Sequence, residues 1–343
     1  SILVLFPLIV SILLLLIKDN GMRKIVVKLA ALCIGGLAIT TAVTYFNQPT
    51  RLEEAIPQMP EIVMAVDVLT AIAILYYTLK HKQYLIALLE VVQVGIIMYF
   101  ELTQGHFIKT YTPFIVDNFA LIMILIAGII GSLIAVYSLG YMEEFQHEHP
   151  EVEDRRPFFF FVIFMFLSAM FGLVLCNNLL YMYTCWEITS FSSFLLIGYT
   201  QTKEAKHNSF KALWMNLLGG LAFAVAIVLM GNEFYTVELQ TFITMEHTSK
   251  SVDLIVALLV FCGFTKSAMM PFSKWLLGAM VAPTPTSALL HSSTMVKAGV
   301  FLIIKLCPLL GSNQPGMMAM MVGGITFFFA SCAAISQSDG KKV

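Results

Sequence analysis

The sequence predicts an all-α, polytopic membrane helical bundle with discontinuous helices, and three observations carry that prediction. Of its 343 residues, 59% are hydrophobic and 12% charged, with a mean hydropathy of +0.85, a composition too apolar for a soluble domain. The apolar residues gather in long continuous runs without the alternation of barrel strands, so each span satisfies its own backbone groups as a helix. The stretch Cys262 to Leu302 then breaks the pattern, because Lys266, His291 and Lys297 sit in sequence otherwise fit for lipid. A cation near mid-bilayer costs roughly 2.5 to 3.5 kcal/mol on insertion scales and is kept by burial, a partner or an ion path. Three such residues in one stretch point to a path.

The first apolar run, Ile2 to Ile17, reads as a spanning helix and not a cleaved signal, because no charged region precedes it. Lys18, Arg23, Lys24 and Lys28 follow against Asp19 alone, which places this connection in the cytoplasm and the N-terminus outside. Further runs at Ile25–Phe46, Pro60–Leu79, Tyr84–Leu102, Pro113–Leu139, Pro157–Leu175, Leu179–Tyr199, Phe210–Met230, Val252–Leu277, Thr286–Leu309 and Gly316–Ile335 bring the count to about eleven spans. By that count Lys80–Lys82, Lys203–Lys211 and Lys341–Lys342 fall inside, and the acidic Glu233–Glu246 connection outside. The acid-rich segment Glu143–Arg156 also falls inside, which the rule tolerates because acids contribute little to it. The glycine pairs Gly35–Gly36, Gly219–Gly220 and Gly323–Gly324 read as places of close helix approach.

Several chemistries find no support. The six cysteines contain no Cys-x-x-Cys pair, there is no phosphate-binding loop, and no basic tract fits nucleic acid. His147 and His149 beside carboxylates read as a solvated loop, with no metal assigned. No cofactor is expected, so redox chemistry coupled to this chain would be carried by another.

The ionisable residues at span depth are the candidate site. Glu187 lies mid-run with Tyr183, Thr184, Ser190 and Phe191 at helical spacing, a single polar stripe. Lys266 sits mid-span with Pro271 five residues later, and the ring removes a donor and crowds the Ser267 carbonyl, so the helix should break just beyond the lysine. A broken helix at membrane depth is tolerated where protein or water lines it. Thr286, Ser287, His291, Thr294 and Ala298 fall on nearly one face of the next helix, and histidine suits a proton relay from Lys266. Lys297 is a further station, Lys305 is near enough to an end to snorkel, and Lys211 starts the helix after Glu187, where snorkelling and proton uptake are alternatives.

The segments WEITSFSSFLLIGY, TKSAMMPFSKWLLGAMVAPTPTSALLHSSTMVKAGVFLI and ISQSDGKKV resemble the antiporter-like subunits of complex I, Mrp-type cation/proton antiporters and membrane-bound hydrogenases. The match covers about Asp117 to Val343. It implies the first of two inverted five-helix repeats plus one helix, in a chain cut short before the second repeat, and a proton path through Glu187, Lys266 and His291. LHSSTMVKAG and NLLGG are similar to the Mrp and hydrogenase branch; where complex I subunits carry an acid near NLLGG, this sequence has none. The expected organisation is two N-terminal helices (1–47), an inserted pair of helices (48–112) with no assigned role, and the ion-translocating core (113–343).

The resemblance implies a subunit of a redox-driven ion pump in the inner (plasma) membrane of a prokaryote, moving protons or sodium beside other membrane subunits of a respiratory or hydrogenase complex. A stand-alone Mrp-type cation/proton antiporter subunit is the alternative. A scaffold whose charges only fix helix packing is the third reading.

Overall fold

The computed structural model describes residues 2–52, 58–245 and 251–342; Glu246, at the end of the acidic connection, and Val343 lie outside them. In chain order the helices are α1 (Ile2–Leu16), α2 (Asn20–Tyr45), α3 (Met59–Lys80), α4 (Tyr84–Thr103), α5 (Asn118–Leu125), α6 (Gly131–Glu148), α7 (Arg156–Leu175), α8 (Leu179–Ile197) and α9 (Lys203–Phe234). They are followed by α10 (Leu239–Thr244), α11 (Ser251–Lys266), α12 (Ser273–Gly278), α13 (Thr284–Ser287), α14 (Met295–Lys305) and α15 (Gln314–Ile335). A π turn at Ile126–Ile130 joins α5 to α6 as one span, and a second at Ala288–Ser293 joins α13 towards α14.

Among the described residues, eight helices are long and apolar enough to cross a membrane. The helices α8 and α11, which carry Glu187 and Lys266, are not among the eight. The sequence of α8, LLYMYTCWEITSFSSFLLI, is rich in hydroxyls, and α11 ends after 16 residues. The expected run Val252–Leu277 is thus two helices, because the chain breaks directly after Lys266. The expected run Pro113–Leu139 starts later, at Asn118, since Asp117 accepts from the Ala120 amide at 2.7 Å and caps α5.

The middle of the bundle is α7, α8 and α9. Apart from Phe161 and Met165, α7 is buried from Phe159 to Leu175, the pattern of a helix apolar all round and enclosed by others. It packs on α1 and α8, α9 packs on α8, α4 and α11, and α11 also meets α14 and α15. Lipid tails are as apolar as leucine, so packing and polar contacts hold such helices together. Ser168 Oγ donates to the Val4 carbonyl at 2.7 Å between α7 and α1, and Ser267 Oγ to the Val296 carbonyl at 3.0 Å between α11 and α14. Bonds of this kind contribute roughly 0.6 to 2 kcal/mol each.

The pair of helices expected as an insertion is bounded by two short strands that pair with each other. Strand β1 (Thr50–Leu52) pairs antiparallel with β2 (Phe114–Val116), Arg51 opposite Ile115, so the two ends of this segment lie side by side. Within it α3 and α4 pack on each other, and the hairpin lies against α8 and α9. At the other end of the bundle Lys24 pairs with Glu143 at 2.7 Å, bringing the basic connection after α1 and the acid-rich connection after α6 to the same end. Lys305 is paired with Asp117, so it does not reach out for solvent.

Two of the three glycine pairs are not packing sites: nothing lies within 4 Å of a Cβ added at Gly35, Gly36, Gly323 or Gly324. Close approach occurs instead at Gly219 and Gly220 of α9, and at Gly263 and Gly299 where α11 meets α14.

Candidate functional site

The break in α11 places Lys266 at a helix end inside the bundle. Ala268 takes the left-handed conformation at φ 54°, Met269 N donates to the Phe264 carbonyl at 3.0 Å and Ala268 N to the Thr265 carbonyl at 3.3 Å. This paired pattern ends a helix one step past its last residue. The carbonyl expected to be freed was that of Ser267; the structure uses Thr265, whose oxygen also accepts the Trp275 indole N–H at 2.9 Å. An irregular backbone at this depth is therefore capped by protein.

Lys266 is fully buried and donates to Ser190 Oγ at 2.8 Å and to the Trp186 carbonyl at 3.0 Å, with its ammonium 4.8 Å from the centre of the Trp186 ring. Both acceptors belong to the turns of α8 that flank Glu187. Glu187 is 3% exposed, and neither of its oxygens has a hydrogen-bond partner among the described residues. The structure thus brings Glu187 and Lys266 to neighbouring turns without a direct ion pair within 4 Å. Gly220 of α9 makes room for the Glu187 carboxylate, which a Cβ there would overlap.

His291 lies in the π turn between α13 and α14. Its ring is 5.9 Å from that of Trp275, so this tryptophan touches both the end of α11 and the histidine. Both ring nitrogens are buried without a partner among the described residues, as are the hydroxyls of Thr286 and Ser287. Lys341, beyond α15, donates to the Ala282 carbonyl at 2.6 Å and lies near enough to His291 to act on it electrostatically.

Two expected stations are placed otherwise. Lys297 is exposed on α14. The π turn and the non-helical Thr294, with φ −132°, change the phase between α13 and α14, so ordinary helical spacing does not carry from His291 to Lys297. Lys211 does not start its helix. Thr202 caps α9 nine residues earlier, accepting from Ala205 N at 3.1 Å, and leaves Lys211 half-buried in the third turn. The helix has 32 residues, about 48 Å at 1.5 Å per residue, well beyond the hydrocarbon thickness.

The sequence reading missed the polar residues on the inserted hairpin. Asp67 of α3 and Glu90 and Gln93 of α4 are 7%, 1% and 0% exposed, and Gln93 Nε2 donates to Glu90 Oε2 at 2.9 Å. Their signal was the one that flagged Lys266, an ionisable group inside an apolar run. Among the described residues no three His, Cys, Asp or Glu side chains are placed so that they could hold a metal ion together.

Residues 176–343 match the family model described as NADH:quinone oxidoreductase/Mrp antiporter, TM, and residues 105–151 match that of the NADH-ubiquinone oxidoreductase (complex I) chain 5 N-terminus. The Na(+)/H(+) antiporter subunit A1 of Staphylococcus aureus (strain JH9) is 37% identical over 234 residues, which is 66% of this chain and 28% of that relative. The chain therefore spans less than a third of the curated relative it matches. In fold it resembles a chain of the Mrp complex from Dietzia sp. DQ12-45-1b, with TM-score 0.61 and 24% identity over 82% of this chain and 32% of that one. It likewise resembles a chain of the archaeal membrane-bound sulfane sulfur reductase, with TM-score 0.64 and 16% identity over 88% and 51%. With two models of one family aligned along residues 105–151 and 176–343 and a relative of the same kind 37% identical over 66% of the chain, the chain belongs to the antiporter-like membrane subunits shared by complex I and Mrp antiporters.

Proposed function

We propose that this subunit translocates protons, or sodium, through a relay in which Glu187, Lys266 and His291 are the stations. The observation that carries the reading is the burial of Lys266 at a helix break beside the turns that hold Glu187, with Trp275 continuing the contact to His291. Glu187 and Lys266 act on each other electrostatically, and at an effective dielectric near 20 two charges just beyond ion-pair distance interact by up to about 4 kcal/mol. A change of charge at Glu187 therefore alters the energy of the Lys266 ammonium and can drive its proton onward. The unpartnered nitrogens of His291 and the hydroxyls of Thr286 and Ser287 form a polar continuation suited to water-assisted transfer. Lys211 and Lys297 are auxiliary stations at the margins, half-buried and exposed respectively.

In this reading residues 113–343 are the first of two inverted repeats plus one helix. The N-terminus lies outside, supported by the basic residues after α1 at the end shared with Glu143. The membrane is the plasma membrane of a prokaryote. Coupling is to a redox complex of the hydrogenase or NADH:quinone oxidoreductase type. The second reading, a cation/proton antiporter without redox partners, is favoured by the 37% identity to an Na(+)/H(+) antiporter subunit. Iron–sulfur subunits that co-purify with the chain select the first, and a set of hydrophobic subunits alone selects the second.

The relay is tested in vesicles containing the assembled complex. Lys266→Ala should abolish translocation and Glu187→Gln should reduce it by at least about a hundredfold, since the amide keeps the shape without the titratable group. Wild-type translocation by Lys266→Ala would remove the assignment.

A further inference from the structure

The acids of the inserted hairpin play no part in that relay, yet they face it. Asp67 belongs to the buried stripe of α3 with Val63, Ala71 and Ile74, and Glu90 and Gln93 to the buried stripe of α4. Gln93 turns its Nε2 to Glu90 and its Oε1 towards the Glu187 carboxylate; a Cβ added at Gly220 would overlap that carboxylate and lie 2.9 Å from Gln93 Oε1. Gln93 Oε1 and both Glu187 oxygens are thus buried close together, and none of them makes a hydrogen bond among the described residues. Asp67 lies beside the Thr184 hydroxyl and within electrostatic reach of Glu187 and Glu101. Glu101, in the last turn of α4, has one carboxyl oxygen buried and unpartnered and lines a cavity of about 290 Å³ with Glu61, Asn178 and Tyr181, where α3 begins and α4 ends.

The cluster is short of positive charge. Of the three buried carboxyls, Glu187 alone lies within electrostatic reach of the buried Lys266 ammonium, while Asp67 and Glu90 act on Glu187 and on each other. Buried carboxylates without a paired cation neutralise by taking up a proton or another cation. A proton on one carboxyl also supplies the donor that the facing acceptors need.

We propose that Glu101, Asp67 and Glu90, with Gln93 as a positioning residue, form a carboxyl file that carries protons between this cavity and Glu187. The inserted helix pair then gives the subunit its own proton route, which rests on Glu187 being a station of the relay. At each step the O–H bond of one carboxyl breaks as the next carboxylate, or a water between them, takes the proton. One proton is taken up from cavity water at Glu101 for each proton passed on at Glu187, and no electron moves.

The test uses the assembled complex in vesicles, with Asp67→Asn, Glu90→Gln, their combination and Lys266→Ala in parallel. The double variant should lower translocation at least about tenfold with assembly and melting temperature retained, and Glu90→Asp should restore part of it. Glu101→Gln, at the half-buried mouth, should lower the rate as well. Wild-type rates in the double variant while Lys266→Ala is inactive would overturn the file and leave the relay standing. A second readout is independent of transport and of that relay: infrared difference spectra of the wild-type complex should show protonated-carboxyl bands that the double variant loses. No such band, or a sodium-induced rise in melting temperature in its place that the double variant loses, would overturn the proton file, the latter in favour of a sodium site.

Discussion

Lys266 donates to Ser190 at 2.8 Å across the interface of α11 and α8, and this hydroxyl, not the Glu187 carboxylate, is its side-chain acceptor. The lysine is held one turn away from the glutamate by a neutral group, with the Trp186 carbonyl as second acceptor. A direct ion pair would bind both charges in place, whereas this arrangement leaves the two electrostatically coupled and separately able to change state.

Ser190→Ala should therefore affect coupling more than folding. A hydrogen bond to a charged group contributes about 1.5 to 3 kcal/mol, so a modest fall in melting temperature should accompany a severalfold loss of translocation. Ser190→Thr, which keeps the hydroxyl, should recover most of the rate. Thermal melts and vesicle assays on both variants check this, and equal loss in the two would point to packing alone.

Gly220→Ala should be damaging and Gly323→Ala nearly silent. The added methyl at Gly220 runs into the Glu187 carboxylate and Gln93, while at Gly323 it meets nothing within 4 Å. Overpacking of this kind costs about 1 to 3 kcal/mol. In the proposed relay the displaced group is also a station, so translocation should fall more than stability. The contrast is read by comparing melting temperature and transport for the two variants.

At the end of the bundle shared with Lys24, Arg156 donates to both oxygens of Asp154, at 2.9 and 2.7 Å, and this hydrogen bonding holds the Asp154 carboxyl below its ordinary value of 3.8. A depressed carboxylate stabilises the fold above its unfolded value, and that contribution is lost as pH falls through the lower folded value. Asp154→Asn should therefore lower stability slightly near neutrality and flatten the fall in melting temperature below about pH 4. The effect is small because the pair is partly exposed. Melting curves of the purified complex across this range measure it.

The order of the spans was legible because a lipid-facing helix must be apolar over its whole length, and the break after Lys266 was legible because proline cannot sit unnoticed in a helix interior. Glu187, Lys266 and His291 stood out as polar groups in apolar sequence. The phase of Lys297 was not legible, since it depends on a π turn with no composition of its own. Nor was the start of α9, which Thr202 sets upstream of the apolar run.

By itself the sequence determined that this is a bundle of membrane helices and which ionisable side chains fall within apolar runs, because the cost of charge in hydrocarbon is a property of each segment alone. Only the tertiary structure decided which of those groups meet: Lys266 with Ser190, Gln93 with Glu187 over Gly220, and the inserted pair against the core in place of lipid. Those contacts join residues far apart in the chain, and they follow from how closely two backbones approach, which no single segment encodes.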